Sequence, residues 1–407
     1  MKKNKNIVKK QVCRRCILDS NIPSISFNNE GICNYCEIHD EMDAQHPLNK
    51  QGKKELHKII KEIKAKGKGK KYNCIIGVSG GVDSTYCLYL AKKLGLRPLA
   101  VHMDNGWDSE LAVSNIEKTC RKLGVDLETK VLDWEVFKEL QLAFLKASIP
   151  EIETPTDLAI RPILCQVAAK EGISYIINGQ NFRTEGKIPL TWAYADNRYI
   201  NYIYKKFGKN KKLNNYPKFT IKEYFYYGFI KRIKTVRILQ YMDYRKDQVK
   251  KLLIKELDWK DYGGKHSESI FTRFLQNYIL IKKFNIDKRK IHISAEVRSG
   301  HLSRFSAFKK INQEPITVEQ AQSDQKYILK KLNLTEKEFD KIMISKPKTF
   351  LDYPSYFSLM RLFRSLIKIV YRVLEPTTPP LIVALDHMKI PSKLSKENQD
   401  LRNNEND

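Results

Sequence analysis

The sequence predicts an α/β fold built on a parallel, Rossmann-like sheet, with a cysteine-rich domain before it and a mostly helical region after it. Two CxxC pairs lie near the N-terminus, and from residue 73 short apolar runs alternate with helical segments through short connections. Such alternation favours right-handed crossovers between parallel strands. The expected units are the cysteine-rich domain at 1–50, a charged helix and linker at 51–72, the α/β domain at 73–200, the mostly helical substrate or partner region at 201–375 and a flexible tail at 376–407.

Within the α/β domain the elements follow one another closely. We expect strands at 74–78, 98–104, 125–133 and 173–178, and helices at 82–94, 109–123, 134–147 and 156–170. Gly95 and Gly124 follow the first two of these helices, as is typical of residues that end a helix. Ligands of parallel sheets bind at the carboxyl ends of the strands. The loops after Val78, Met103 and Asn178 are therefore expected to face one site.

The chain is strongly basic, with 74 basic and 46 acidic residues and a formal net charge of +28. Such a charge attracts polyanions, so RNA, nucleotides, nucleotide sugars and anionic lipids are candidate partners. We expect neither a secretory signal nor a spanning helix, because no uncharged apolar run approaches about 18 residues. The segment 358–374 carries basic residues on one helical face. This pattern is typical of a helix that packs on its own domain or lies on a membrane surface or a partner.

Four cysteines have the spacing of a metal site. Cys13 and Cys16 form one CxxC pair, and Cys33 and Cys36 form the second. This spacing predicts a zinc ribbon at 1–50, whose folding depends on bound Zn²⁺. Four cysteine ligands leave no open coordination position, so the zinc is expected to be structural. Free thiols and an iron–sulfur cluster are the alternatives.

The sequence SGGVDS at 79–84 lies between a predicted strand and a predicted helix. Its glycines let the backbone approach phosphate oxygens closely. The N–H groups at the start of a helix attract those oxygens. Asp83 is expected to help hold Mg²⁺ at a bound nucleotide. The loop lacks the lysine of a Walker A motif, which argues against transfer of a γ-phosphate. The loop residues expected to contact the nucleotide are Ser79, Gly80, Gly81, Asp83, Ser84 and Thr85.

This SGGxDS loop resembles the pyrophosphate loop of the ATP-pyrophosphatase superfamily. Members cleave ATP between the α and β phosphates and adenylate a carbonyl or carboxyl oxygen. The resemblance implies ATP as cofactor and a fold of that superfamily's type. It also implies that Met103 lies near the adenine, and that Gly179 and Asn181 lie near the ribose or the α-phosphate.

Two adenylating families combine a zinc ribbon with such a loop, and a non-catalytic nucleotide-binding scaffold is a third possibility. The tRNA thiolases would use the positive charge for RNA, but they typically need further paired cysteines. The remaining cysteines here are Cys74, Cys87, Cys120 and Cys165, and no two of them form a pair in the sequence. The thiolase function is therefore the weaker alternative, and no nucleic-acid partner is expected.

The second family is the N-acetyl sugar amidotransferases of lipopolysaccharide O-antigen and pseudaminic acid synthesis. The chain resembles it in the ordered motifs CRRCILD, GICNYC, IIGVSGGVDST, VHMDNGW, TPTDLAI, INGQN, DWKDYGGKHSES, FTRF, FNIDKRKIHIS and SGHLSR. The resemblance implies that ATP adenylates the acetamido oxygen of an N-acetylated sugar carried by a nucleotide or a lipid. Ammonia then displaces AMP, which leaves an acetamidino group.

The segment GGKHSE at 263–268 is the expected second catalytic element. Lys265 and His266 offer cationic donors for pyrophosphate or the adenylated intermediate; the alternative is a helix-entry turn with solvated charges. Other polar residues are expected near further phosphates, including that of a nucleotide sugar, or near sugar hydroxyls. They are Arg273, Lys288 and Arg289 for the phosphates, and Asn181, Arg183 and Glu185 for the hydroxyls.

The chain has no recognisable glutaminase nucleophile. Residue 2 is Lys2, and no cysteine lies in a Gly-x-Cys-x-Gly elbow. Ammonia is therefore expected from solution or from a separate subunit. The resemblance implies a HisH-like glutaminase working through a HisF-like, ammonia-channelling barrel. We expect a cytoplasmic location, with peripheral contact at the inner membrane surface as an addition to it.

Overall fold

The computed structural model describes residues 11–210, 212–367 and 369. At its centre is a five-stranded sheet in which all neighbouring strands are parallel. The strands are β1 (Cys74–Gly77), β2 (Pro98–Asp104), β3 (Leu127–Val131), β4 (Tyr175–Ile177) and β5 (Lys234–Val236). They lie in the order β3-β2-β1-β4-β5. The predicted parallel α/β fold is confirmed.

Helices pack around this sheet and form most of the remaining described structure. In chain order they are α1 (Asn34–Gln45), α2 (Lys50–Lys66), α3 (Val82–Lys93), α4 (Glu110–Leu123), α5 (Trp134–Lys146), α6 (Thr154–Lys170), α7 (Phe182–Glu185), α8 (Leu190–Ala193), α9 (Asn197–Phe207), α10 (Ile221–Phe225), α11 (Lys246–Leu257), α12 (Ile270–Phe274), α13 (Leu280–Phe284), α14 (Arg289–Arg298), α15 (Arg304–Ile311), α16 (Val318–Leu332), α17 (Glu336–Ile344) and α18 (Phe357–Leu362). Single turns of π-helix lie at Tyr226–Ile230 and Leu275–Ile279, and 3-10 turns at Ile238–Tyr241 and Phe350–Asp352.

The strands and helices predicted for the α/β domain are all present, with ends shifted by a few residues. The helix predicted at 109–123 begins one residue later, because Ser109 is its N-cap and accepts the N–H of Ala112 at 3.2 Å. It ends at Gly124, whose φ of 57° is the left-handed conformation that glycine adopts without strain. Capping residues therefore fix both ends of this helix, and the end at Gly124 is the one that the sequence predicted.

Strand β5 lies in a stretch for which the sequence predicted mainly helices. Its three residues pair with β4, and the N–H of Asn178 continues the ladder by donating to the carbonyl of Val236 at 2.8 Å. Three residues are too few to carry a recognisable alternation of polar and apolar side chains. The domain divisions made from the sequence stay a prediction.

The strand order reverses at β1, which lies between β2 and β4. At such a reversal the loops after the two central strands diverge and leave a crevice at the carboxyl edge of the sheet. Gly179, in the loop after β4, lies against the first turn of α3. A Cβ at this position would lie 3.1 Å from the carbonyl carbon of Asp83, so glycine allows the close approach.

No helix among the described residues is long and apolar enough to cross a membrane. The predicted amphipathic helix at 358–374 is described only in part: α18 ends at Leu362, and a further helical turn lies at 364–367. The tail predicted at 376–407 lies outside the described residues.

Candidate nucleotide and acceptor site

The loop between β1 and α3 has a conformation suited to anion binding. Gly80 has a φ of 74°, and a Cβ there would lie 2.4 Å from the carbonyl oxygen of Ala112, so only glycine fits. The N–H of Ser79 donates to the Oγ of Ser84 at 3.2 Å, and the N–H of Gly81 donates to the Oγ of Ser79 at 3.4 Å. Phosphate oxygens could replace these hydroxyl acceptors at the start of the helix.

The other predicted nucleotide residues lie around this loop at different depths. Thr85 is buried in α3, and Met103 is half-buried near the carboxyl end of β2. Asn181 is buried, and its Oδ1 accepts a backbone N–H of α7 at 3.0 Å, which caps that helix. Gly179 lies against the backbone of Asp83. Their contacts with a nucleotide stay a prediction.

Asp83, in the first turn of α3, is bound by two residues that follow β5. The Tyr244 hydroxyl donates to its Oδ1, and the Nζ of Lys246 lies 3.3 Å from its Oδ2. Burial raises the pKa of Asp83, but the charges of Lys246 and Lys265 and the Tyr244 hydrogen bond outweigh burial, so the pKa lies below its usual value. The carboxylate is therefore ionised at neutral pH.

Lys265 reaches the same cluster, as the sequence predicted. Its Nζ lies 3.2 Å from the Oε1 of Glu185 and 3.3 Å from the Nδ1 of His292. Burial lowers the pKa of Lys265, and the charge of Glu185 partly offsets this effect. The site thus alternates carboxylates and ammonium groups, an arrangement that can neutralise a polyphosphate and its cation.

His292 presents an unprotonated nitrogen in this site. Its Nδ1 lies 2.8 Å from the carbonyl oxygen of Glu185, which assigns the proton to Nδ1 and leaves Nε2 as an acceptor. Nε2 is buried and has no hydrogen-bond partner among the described residues. Burial and the charge of Lys265 hold the pKa of His292 well below its usual value. The imidazole is therefore neutral and is a weaker base than an ordinary histidine, and its Nε2 keeps a free lone pair.

His266 lies at the rim of the site. It has a φ of 60°, and its ring centre is 6.4 Å from that of His292. Its Nδ1 lies 3.8 Å from the Oε1 of Glu268. The structure thus brings Lys265 to Asp83 and leaves His266 at the edge. The catalytic role predicted for His266 stays a prediction.

A short backbone ladder fixes this segment to the sheet. The N–H of Ser109 donates to the carbonyl of Glu268 at 2.9 Å, and the N–H of Ile270 donates to the carbonyl of Trp107 at 2.9 Å. Residues 107–109 follow β2, so the loop after that strand holds the segment that carries Lys265. Two hydrogen bonds between distant parts of the chain therefore hold the segment that carries Lys265 against the loop after β2.

A cavity of about 330 Å³ lies beside the nucleotide loop. Tyr262 lines it, and the hydroxyl of the same residue accepts the N–H of Val82 at 3.1 Å. Amide and hydroxyl side chains form part of the remaining wall, and Lys265 and His292 also line the cavity. The residues of this neutral polar wall are Gln276, Asn277, Thr317 and Gln320. Such groups can form hydrogen bonds with sugar hydroxyls.

Three further cations line the cavity, but each faces a carboxylate. Arg273 donates to both oxygens of Asp324 at 2.8 and 2.7 Å, and Arg289 binds Asp287 at 2.7 Å. Lys288 lies 3.4 Å from Glu153. The sequence predicted phosphate ligands here, but the structure shows cations that are already paired. Lys288 has the loosest of these contacts.

The suggested role of Arg183 in contacting sugar hydroxyls is wrong. Its side chain is buried, and its Nε donates to Asp43 at 3.0 Å while Nη2 donates to the carbonyl of His46 at 2.7 Å. Nη1 donates to the carbonyl of Gln240. The guanidinium is thus used to attach α7 to the N-terminal domain. Glu185, at the other end of α7, does reach the site.

The four N-terminal cysteines form one buried cluster. Cys13 and Cys36 have their sulfurs 3.8 Å apart, as do Cys16 and Cys33, and those of Cys33 and Cys36 are 3.6 Å apart. A zinc tetrahedron with bonds of about 2.3 Å to sulfur has edges of about 3.8 Å. The spacing therefore fits a tetrahedral metal ion, and the cluster can bind zinc.

The cysteine-rich domain holds the two helices that carry Glu185 and His292. Arg183 of α7 binds Asp43, and Lys290 of α14 lies 2.9 Å from Asp19. Arg304 donates to the carbonyls of Cys13 and Cys16 at 2.9 and 3.1 Å. A metal in the cluster would therefore stabilise the site from outside it.

Two known protein families match separate parts of the chain. Residues 73–162 match the queuosine biosynthesis protein QueC, and residues 268–366 match the C-terminal domain of WbpG-like LPS biosynthesis proteins. With the SGGxDS loop between β1 and α3, the first match supports membership of the PP-loop ATP-pyrophosphatase superfamily. The second match, to a WbpG-like C-terminal domain, supports an amidotransferase-like family within that superfamily. The resemblance found in the sequence is thereby confirmed.

Individual similar proteins have low sequence identity to this chain or match only a short part of it. The uncharacterized protein MJ1599 of Methanocaldococcus jannaschii is 27% identical over 320 residues, which cover 75% of this chain and 95% of that protein. The tRNA-specific 2-thiouridylase MnmA of Hahella chejuensis is 38% identical over 80 residues, 17% of this chain and 22% of its own. A structure of NMN synthetase from Francisella tularensis covers 70% of this chain and 95% of its own, at 15% identity and a TM-score of 0.33.

The sequence alone did not assign a role to several residues of the site. Tyr244 and Lys246 follow a strand that was not predicted, and no motif marks them. Tyr262 and His292 lie inside two of the motifs that carried the family resemblance, DWKDYGGKHSES and FNIDKRKIHIS, but the motifs alone assign no contact. Only the fold brings these residues to Asp83 and Lys265.

Proposed function

We propose that the protein is an ATP-dependent amidotransferase that converts the acetamido group of an N-acetylated sugar into an acetamidino group for surface polysaccharide or glycan synthesis. The observation that carries this proposal is the position of Tyr262, which contacts the nucleotide loop through Val82 and also lines the polar cavity. A sugar in the cavity would therefore lie beside the phosphates of ATP. This proximity favours direct attack of a sugar oxygen on the nucleotide.

The first step follows from the charges around Asp83. The acetamido oxygen attacks the α-phosphorus, the bond between the α-phosphorus and the bridging oxygen breaks, and pyrophosphate leaves. Lys246 and Lys265 lie where they can neutralise the charge on pyrophosphate, and the loop N–H groups orient its oxygens. Asp83 and Glu185 supply the oxygen ligands that suit Mg²⁺, which would add charge neutralisation when bound.

In the second step ammonia adds to the carbon of the adenylated intermediate. One proton must leave the added nitrogen before the carbon–oxygen bond breaks and AMP departs. The unprotonated Nε2 of His292 is the group in the cavity wall that can accept this proton. The amidine product keeps the other two hydrogens of ammonia.

Two further components belong to the proposal. The four-cysteine cluster would hold structural Zn²⁺. A separate HisH-like glutaminase would supply ammonia through a HisF-like subunit. The isolated chain should then use ammonium salts, and should use glutamine only after both subunits are added. Glutamine turnover by the chain alone would contradict this partnership.

The decisive experiment incubates the protein with ATP, an ammonium salt and a panel of UDP-, CMP- and lipid-linked N-acetyl sugars. We expect release of AMP and pyrophosphate that depends on one sugar, and a product in which one oxygen is replaced by an NH group. Asp83→Asn should abolish this release, whereas Asp126→Asn, on a remote carboxylate paired with Lys71, should not. Nucleotide release without any dependence on a sugar would contradict the proposal.

A tRNA thiolase is the second candidate, because the MnmA match falls on a relative that acts on tRNA. The structure offers this candidate few groups that could carry out thiolation. The cysteines outside the cluster, Cys74, Cys87, Cys120 and Cys165, are all buried. Burial raises the pKa of Cys120 to about 11, which suppresses its thiolate. Thiolation of bound tRNA by the purified chain would favour this candidate over the sugar.

A further inference from the structure

Two amphipathic segments expose apolar side chains at the protein surface. The first, here called the aromatic segment, comprises α10 and the π-turn that follows it, residues 221–230. It exposes Ile221, which is 82% accessible, together with Phe225, Phe229 and Ile230. Buried side chains are absent from both of its helical parts. The segment therefore presents apolar side chains that its own domain does not cover.

The second, here called the C-terminal segment, comprises α18 and the following helical turn, residues 357–367. Phe357 anchors it in the core, where its ring packs at 5.1 Å from that of Phe350. Beyond this anchor Leu362 is 75% accessible, and Phe363 and Leu366 are also exposed. This segment too has an apolar face without a partner among the described residues.

The two segments begin at the same corner of the protein. Asn197 Nδ2 donates to the carbonyl of Phe219, the residue before the N-cap of α10. The N–H of Tyr356, the N-cap of α18, donates to Asp196 Oδ2 at 2.8 Å. Consecutive residues at the start of α9 thus hold the first turns of both segments. The two segments therefore start beside each other on the protein.

Basic side chains surround these apolar residues. Lys222, Lys231 and Arg232 are exposed in or directly after the aromatic segment, and Arg361 is exposed in the C-terminal segment. The C-terminal segment contains no acidic residue. The acidic residue of the aromatic segment, Glu223, accepts the N–H of Thr220 in a capping box, so its charge is used within the helix. The surface is therefore both apolar and positive.

We propose that the aromatic segment and the C-terminal segment together dock the protein on an anionic lipid bilayer. Helices with an apolar face and basic flanks bury that face at the level of the lipid headgroups, and basic residues add attraction to anionic lipid. One such contact is usually too weak for stable attachment, but two contacts on one rigid body combine. This inference rests on the surface alone and is independent of the proposed reaction.

Sedimentation of the full chain with vesicles tests the proposal. We expect binding to vesicles of phosphatidylcholine with phosphatidylglycerol, and much weaker binding to phosphatidylcholine alone or at high salt. The triple variant Ile221→Ser, Phe225→Ser, Ile230→Ser should lose at least about tenfold in partitioning. A matched control, Val131→Ser, Phe305→Ser, Ile344→Ser, removes three side chains of 73%, 82% and 83% accessibility outside both segments and should bind as wild type does.

Charge reversal provides an independent test of vesicle binding. Lys231→Glu with Arg232→Glu should weaken binding to the anionic vesicles and leave the residual binding to phosphatidylcholine unchanged. The proposal is overturned if the chain does not distinguish the two vesicle types, or if the control variant loses as much as the triple variant. It is also overturned if the triple variant changes the mass of the protein in solution instead of its vesicle binding, since the surface would then join two copies. Thermal melting of each variant excludes misfolding as the cause.

Discussion

The hydroxyl of Tyr244 donates a hydrogen bond to the carboxylate of Asp83, which joins the loop after the last strand to the first turn of α3. Lys246, two residues further on, approaches the other carboxylate oxygen. The charge of Asp83 is thus set by residues more than 160 positions away in the sequence. This contact is the clearest point at which the fold determines the chemistry of the loop.

Removal of this hydroxyl should weaken ATP binding. Tyr244→Phe deletes a donor to Asp83, so the pKa of Asp83 should rise and the carboxylate should lose its orientation. A hydrogen bond to a charged group contributes about 1.5–3 kcal/mol. We expect KM for ATP to rise about tenfold or more, measured by pyrophosphate release. Tyr86→Phe is the control, because the Tyr86 ring stacks on that of Tyr244 and the change keeps this stacking. An equal effect in both variants would assign the role to the ring.

His292→Gln should separate the two chemical steps. Glutamine can fill the space of the imidazole but cannot accept a proton, so acetamidino product should form about 100-fold more slowly. The first turnover of pyrophosphate should persist, because adenylation does not use this base. His57→Gln, in the exposed part of α2, is the control. Parallel loss of both products would show that His292 only supports the structure.

Lys265→Met should reduce adenylation itself. The ammonium group lies between Glu185 and the nucleotide loop, so its loss removes charge neutralisation of the leaving pyrophosphate. Loss of such a group costs about 10²–10³ in kcat. Rapid-quench measurement of the first pyrophosphate turnover would check this expectation. Lys71→Met is the control, since Lys71 pairs with Asp126 outside the carboxylate cluster.

Removal of the metal from the cysteine cluster should disturb the distant site. A chelator, or Cys13→Ser, should loosen the domain that holds α7 and α14, and thereby displace Glu185 and His292. We expect faster hydrogen exchange across α14 and a loss of turnover, with about one zinc per chain before treatment. Cys120→Ser changes a buried thiol outside the cluster and should affect neither. Undisturbed exchange in α14 after zinc loss would contradict this coupling.

The pair His102–Asp108 should make stability depend on pH. His102 Nε2 lies 3.2 Å from Asp108 Oδ2, and although burial lowers the pKa of His102, the close contact with the Asp108 carboxylate and its charge raise it overall. The stabilisation is therefore complete below the unfolded pKa of about 6.5 and is lost as the pH rises through the folded value.

Asp108→Asn is the corresponding test. Relative to wild type it should lower the free energy of unfolding by about 2 kcal/mol at acidic pH, and by less at alkaline pH. Urea unfolding at about pH 5.5 and about pH 8.5, on either side of the ordinary histidine pKa, would measure both. A difference that grows toward alkaline pH would contradict this assignment.

The local features of the protein could be predicted from the sequence alone. The CxxC spacing predicted the four-cysteine cluster, and the glycines of SGGVDS predicted the loop between β1 and α3, because each depends on neighbouring residues. The strands and helices from β1 to β4 followed from short apolar runs and helix-ending residues such as Gly124. Local chemistry sets all of these, so no long-range contact was needed to find them.

Only the tertiary structure decided which distant residues complete the site. Pairing with β4 made a strand of Lys234–Val236 and so brought Tyr244 and Lys246 to Asp83. The same packing separated residues that look alike in the sequence: Lys265 enters the site, whereas the equally basic Arg183 is buried as a link between domains. The sequence alone shows a charged side chain at both positions. Its function depends on its partner, which lies elsewhere in the chain.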